Sequence, residues 1–157
     1  MFKIEKVNAH CDIPCGVYDP GAAQYAVLSV IRFIDLINEM PEAVSSKDDL
    51  AKFTRLVQQK EEHAVIAKNE ITIIWGDYFK EPQFSAYPEI HELTHSIMMN
   101  ASKCKQSLDK ENGANLLAGV NRFAEIFWAT KDTETESKIS PYLPNLEIIC
   151  PVLKDNN

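Results

Sequence analysis

The chain has 157 residues and a formal net charge of −7, with 45% apolar residues, 25% charged residues and five glycines. That length fits one domain with a proper core, and the balance is that of an ordinary soluble protein. The acidic excess argues against nucleic acid as the main partner, because a phosphate backbone selects a basic face.

Residues 1–19 carry no sustained period and read as an irregular arm. The first nine lack the apolar stretch of a secretory signal, and no run of about 18 apolar residues exists to span a membrane, so a cytoplasmic place without a membrane partner is expected. Asp19-Pro20 is a helix entry, an acceptor followed by proline. Val27, Val30, Ile34 and Ile37 then step along one face of a first helix that should end near Met40-Pro41. Ser45 or Ser46, with Asp48 and Asp49, caps a second helix whose inward row runs Leu50, Phe53, Val57, Lys60, Ala64, Ala67, Ile71, Ile74, Tyr78. Only Lys60 interrupts that row, and its continuity makes the β-branched run Ile71–Trp75 helix rather than strand.

Residues 81–88 read as a connector. A third helix over 88–108 turns Ile90, Leu93, Ile97, Ala101, Cys104 and Leu108 inward, and Asn112-Gly113 opens a fourth with Leu116, Val120, Phe123 and Phe127. The tail beyond Lys131 holds three prolines and an apolar patch and reads as irregular. The expectation is an all-α, up-down four-helix bundle over 20–131, with an N-terminal metal-hook arm (10–19) and an irregular C-terminal tail (132–157).

The arm carries the chemistry. His10-Cys11 followed by Cys15 places three soft or borderline ligands within six residues. A C-x₃-C pair is weak on its own, since cysteines in helical proteins are often small buried hydrophobes. If the chain began at His10, however, its free amine and the amide nitrogen of Cys11 would close a five-membered chelate ring. The same amide and the Cys11 sulfur would close a second. Cys15 would fill the fourth corner and the His10 imidazole an axial position. Fused rings of this size enforce a planar N₂S₂ set, which suits Ni(II) or Cu(II), whereas zinc with soft ligands prefers a tetrahedron. Residues 1–9 would then be a propeptide removed by a maturation peptidase at Ala9-His10, because an acylated nitrogen is a far poorer ligand. The four cysteines are too scattered for a disulfide scaffold, so reduced thiols are expected, with Cys104 and Cys150 structural.

The segment His10-Cys-Asp-Ile-Pro-Cys-Gly-Val-Tyr-Asp-Pro20 resembles the nickel-hook signature of the nickel superoxide dismutases. Trp-Gly-Asp-Tyr-Phe-Lys-Glu-Pro over 75–82 resembles the second block of that family, and Ile-Phe-Trp-Ala-Thr-Lys over 126–131 its closing segment. The resemblance implies a helical bundle assembled as a homohexamer that disproportionates superoxide by cycling Ni(II) and Ni(III), with one nickel ion per subunit. It implies His10, Cys11 and Cys15 as metal ligands, and Asp12 as a residue that helps fold the hook. Tyr18 and Tyr78 would sit over the open face, and Lys80 would supply positive potential at the entrance. Where the family pattern has a glutamate bonded to the hook imidazole this chain has Ala26, and the arginine partner aligns with His63; His63 or Glu62 is the substitute to consider, beside a plain solvated face.

Two other readings compete. A nickel or copper carrier would use the same hook, although the Tyr18 and Tyr78/Lys80 guard favours a catalyst. His91-Glu92-Leu-Thr-His95 matches the helical zinc-peptidase pattern, in which two histidines one turn apart share a metal. No third ligand is singled out there. The same segment supplies only one of the two Glu-x-x-His pairs that a di-iron bundle requires.

Overall fold

The computed structural model describes residues 16–153. The expectations for His10, Cys11, Asp12, Cys15 and the Ala9-His10 bond lie outside the described residues. In chain order the elements are α1 (Gly21–Asn38), α2 (Lys47–Ile73), which runs into a π-helical turn (Ile74–Tyr78), α3 (Glu81–Ala86), α4 (Ile90–Gln106), α5 (Lys110–Ala129), β1 (Thr135–Ile139) and β2 (Glu147–Pro151). The four long helices close a ring: α1 packs on α2 and α5, and α4 packs on the same two. That is the expected bundle. Val30 and Ile34 of α1, Ala67 and Ile71 of α2, Ile97 of α4 and Phe123 of α5 are all fully buried, in agreement with the 3–4 spacing of the sequence.

Local chemistry sets the helix starts. Asp19 Oδ1 accepts from the Gly21 N–H at 2.7 Å, Ser46 Oγ from Asp49 N–H at 3.0 Å, and Asp109 Oδ1 from Glu111 N–H at 2.9 Å. The fourth long helix therefore begins at Lys110, ahead of the expected Asn112-Gly113. Gly113 lies inside it because a Cβ there would come 2.8 Å from Ile31 Cγ1, where α5 meets α1. The expected connector over 81–88 is in fact helical for the six residues of α3.

The inward row of α2 is only partly buried. With 27 residues against 18 in α1, α2 is about 40 Å long against about 27 Å and overhangs its partner. Leu50 is consequently 56% exposed, while Ala64 to Ile74 meet the core. Lys60 is buried and partnered: its ammonium donates to the carbonyls of Lys105 (2.9 Å) and Ser107 (3.0 Å), which end α4 without helical donors of their own.

The tail is a correction to the sequence reading. It is ordered as an antiparallel pair in register from Thr135↔Pro151 to Ile139↔Glu147. Ile148 is buried in the core, and the buried amide of Gln24 on α1 donates to Ile149 O at 3.1 Å and to Asn121 Oδ1 at 2.9 Å. Asn121 in turn donates to Glu147 O at 2.9 Å, so the hairpin is fastened to both α1 and α5. Among the described residues no helix is long and apolar enough to cross a membrane.

Candidate functional site

The described part of the arm delivers Tyr18 to one end of the bundle. Gly16 takes φ +71, a left-handed conformation that glycine adopts without penalty, and Val17 is exposed. Tyr18 is half-buried, its ring centroid 5.9 Å from that of Tyr78. Two tyrosines that the sequence places 60 residues apart thus face each other across the arm's exit.

Tyr78 reaches this position through the π-helical turn. The Phe79 N–H donates to Ile74 O at 3.3 Å, one residue further back than in an α-helix. The wider turn lets Ile74 and Phe79 both enter the core while Tyr78 swings to the edge, and exposed Gly76 bulges outward. The Tyr78 ring then packs on Phe127 at 4.9 Å and Phe79 at 5.3 Å. Its hydroxyl lies 2.7 Å from Thr130 Oγ1, and the Lys131 ammonium sits 4.7 Å from its ring centroid and 5.2 Å from that of Phe127.

The structure brings Tyr18 and Tyr78 together. Lys80 it places on the outside of the same turn, exposed, with its ammonium donating to Gly76 O at 3.2 Å. Thr130 and Lys131 had no role in the sequence reading. Their only signal was membership of the 126–131 segment, since nothing in their spacing reveals contact with a residue on α2.

The two candidate substitutes at the Ala26 position, His63 and Glu62, lie on α2. Ala26 is buried, whereas the His63 ring packs 5.3 Å from Phe33, two turns or about 10 Å further along α1, and its Nδ1 donates to Gln59 O at 2.8 Å. Glu62 accepts from Gln58 and Gln59 on its own helix.

The zinc-peptidase reading meets a specific obstacle. Trp75 Nε1–H donates to His91 Nδ1 at 3.2 Å, so the neutral imidazole carries its proton on Nε2, the nitrogen a metal would need. The ring is also held 4.4 Å from that of Phe84. Among the described residues no group of three or more His, Cys, Asp or Glu is placed to hold a metal ion.

Burial of Cys104 pushes its thiol up to about 11. Cys150 lies half-buried on β2. Cys11 and Cys15, four residues apart in the sequence with His10 beside them, lie outside the described residues.

The chain matches the family model of the nickel-containing superoxide dismutases over residues 5–131. The nickel superoxide dismutase of Streptomyces seoulensis is 39% identical over 126 residues, which is 80% of this chain and 91% of that protein. That of Streptomyces coelicolor is 38% identical over 125 residues, 80% of this chain and 90% of the relative. A native crystal structure of nickel superoxide dismutase superposes with a TM-score of 0.71 at 36% identity, covering 78% of this chain and 99% of the other. The aligned share leaves the C-terminal hairpin beyond the family match, which ends at residue 131.

Proposed function

The chain belongs to the nickel-containing superoxide dismutase family, and from that premise we propose that it converts two superoxide anions and two protons to oxygen and hydrogen peroxide, with one nickel ion per subunit held by the arm. The observation that carries this reading is the family match from residue 5 onward, which spans His10, Cys11, Asp12 and Cys15.

The ligands are the amine and imidazole of His10, the amide nitrogen and thiolate of Cys11, and the thiolate of Cys15, with Asp12 helping to fold the hook. The bound ion supplies one-electron transfer between Ni(II) and Ni(III), which two thiolates and an anionic amide favour by donating electron density. The remaining work falls to side chains of the bundle. The Tyr18–Tyr78 pair walls the arm's exit and admits only small species, and its hydroxyls hold water from which protons are drawn. Lys131 and Lys80 add positive potential at this end of an otherwise acidic chain, so that an anionic substrate is steered locally despite the net charge.

This reading divides the chain into a propeptide (1–9) removed by a peptidase at Ala9-His10, a hook arm (10–19), the bundle (20–131) and the tail (132–157). The working form is a cytoplasmic homohexamer. In protein trimmed to residue 10, Cys11→Ser or Cys15→Ser should abolish both nickel uptake and superoxide decay. Full turnover in either variant contradicts the ligand set, and nickel bound by the unsubstituted trimmed chain without any turnover would favour a carrier.

A further inference from the structure

The Thr130 hydroxyl has one proton and two oxygen neighbours. It lies 2.7 Å from the carbonyl of Phe127 and 2.7 Å from the hydroxyl of Tyr78. A carbonyl only accepts, so the Thr130 proton is committed to Phe127; the reverse choice would leave two bare oxygens in contact. The proton in the other bond must therefore come from the phenol. Tyr78 is a donor to Thr130, and what its oxygen retains for the arm's side is a lone pair.

The ring has little freedom to escape this arrangement. Phe79 and Phe127 pack against it, the tilted Tyr18 ring lies 5.9 Å away, and the Lys131 ammonium covers it. Thr130 itself is held by its place at the end of α5, where its N–H donates to Ile126 O at 3.0 Å. From this geometry we infer that Thr130 is a positioning residue for the reaction: it draws the Tyr78 phenol proton inward, so that Tyr78 presents a hydrogen-bond acceptor on the side of Tyr18 and the arm. It holds water there and does not bind anions through its own hydroxyl. The inference rests on the proposed dismutase function and deepens it. An acceptor at the entrance lets a neutral, hydrogen-bearing product leave and denies small anions a resting place beside the wall.

Two variants separate this role from simple packing. Thr130→Val keeps the shape and removes the hydroxyl; Thr130→Ser keeps the hydroxyl. In the full-length chain, the Raman Fermi doublet of tyrosine, which reports whether a phenol donates or accepts, isolates Tyr78 when the Tyr78→Phe spectrum is subtracted. The donor signature should be present in the parent, lost in Thr130→Val and restored in Thr130→Ser. In the trimmed, nickel-loaded protein, Thr130→Val should slow superoxide decay roughly three- to tenfold, the worth of one neutral hydrogen bond, and should make azide a stronger inhibitor. Thr130→Ser should recover both. Neither change should appear when Thr130→Val is made in a Tyr78→Phe background. A donor signature that survives Thr130→Val, or a Thr130→Val protein with the parent's decay and azide response, overturns the inference while leaving the dismutase reading intact. A parent protein that takes up nickel without turnover defeats the dismutase reading itself, and the positioning role with it.

Discussion

Lys60 interrupts an apolar row, and a sequence reading has no means of telling a mistake from a partner. The structure supplies the partner: the two carbonyls at the end of α4 that the ammonium bonds. Desolvation pulls the Lys60 pKa down, with Glu61 and Cys104 opposing, so the burial is tolerated only because those bonds are made. Lys60→Met would keep the stem and strand both carbonyls; a loss of about 1–3 kcal/mol is expected, read as a lower denaturant midpoint at unchanged slope. Parental stability would mean that the carbonyls find other donors. Cys104, next to Lys60, shows the opposite trend. Burial lifts its thiol to about 11, so the folded state holds this proton more tightly than the unfolded one. Its contribution to stability is complete below the ordinary thiol range and is lost as pH rises from there through about 11. In the folded chain, peptide mapping after alkylation should find Cys104 unmodified at pH 8 while Cys150 reacts, with Cys104 following only in strong alkali. Equal labelling at pH 8 would show that the thiol is not sequestered. Tyr18 and Tyr78 were legible because whole segments around them match a pattern. Thr130 was not, because its part depends on where a hydroxyl stands relative to another helix.

The elements were legible wherever hydrophobic period and caps agreed. The run Ile71–Trp75 is helical as the seam demanded, up to the point where the helix widens. The π-helical turn has no sequence signature of its own: it follows from Ile74 and Phe79 both seeking the core across Gly76. Inserting one residue after Gly76 would add a further step to a turn that already holds one extra and should rotate Tyr78 by about 100° from its place against Tyr18. The bundle's helical circular dichroism should persist while superoxide decay of the trimmed, nickel-loaded protein falls on the order of ten- to a hundredfold. Undiminished activity would remove the turn from the account. The β1–β2 hairpin escaped notice for a different reason. Its three prolines signal interruption, and its anchors, Gln24 and Asn121, are polar residues on distant helices whose amides only the folded chain brings to the strand carbonyls.

At the scale of the whole molecule, the family match and the bundle end together near residue 131, and the hairpin is an addition fastened to α1 and α5. A chain ending at 131 loses the burial of Ile148 and one acceptor of Gln24. Its unfolding free energy should fall by about 2–4 kcal/mol, while superoxide decay per bound nickel stays at the parent's value. An unchanged melting temperature, or lost activity, would mean that the hairpin is idle or that it belongs to the site. The overhang of α2, which leaves Leu50 exposed, is where the sequence reading overestimated the core: an apolar period records that a face is to be covered, not by what. At the other end of the chain, the proposed ligand set needs an α-amine at His10. The decisive comparison is nickel content and superoxide decay in two preparations reconstituted alike, the 157-residue chain and the chain beginning at His10 with a free amine. The account predicts stoichiometric nickel and rapid decay in the second and neither in the first; equal dismutation by both would contradict it.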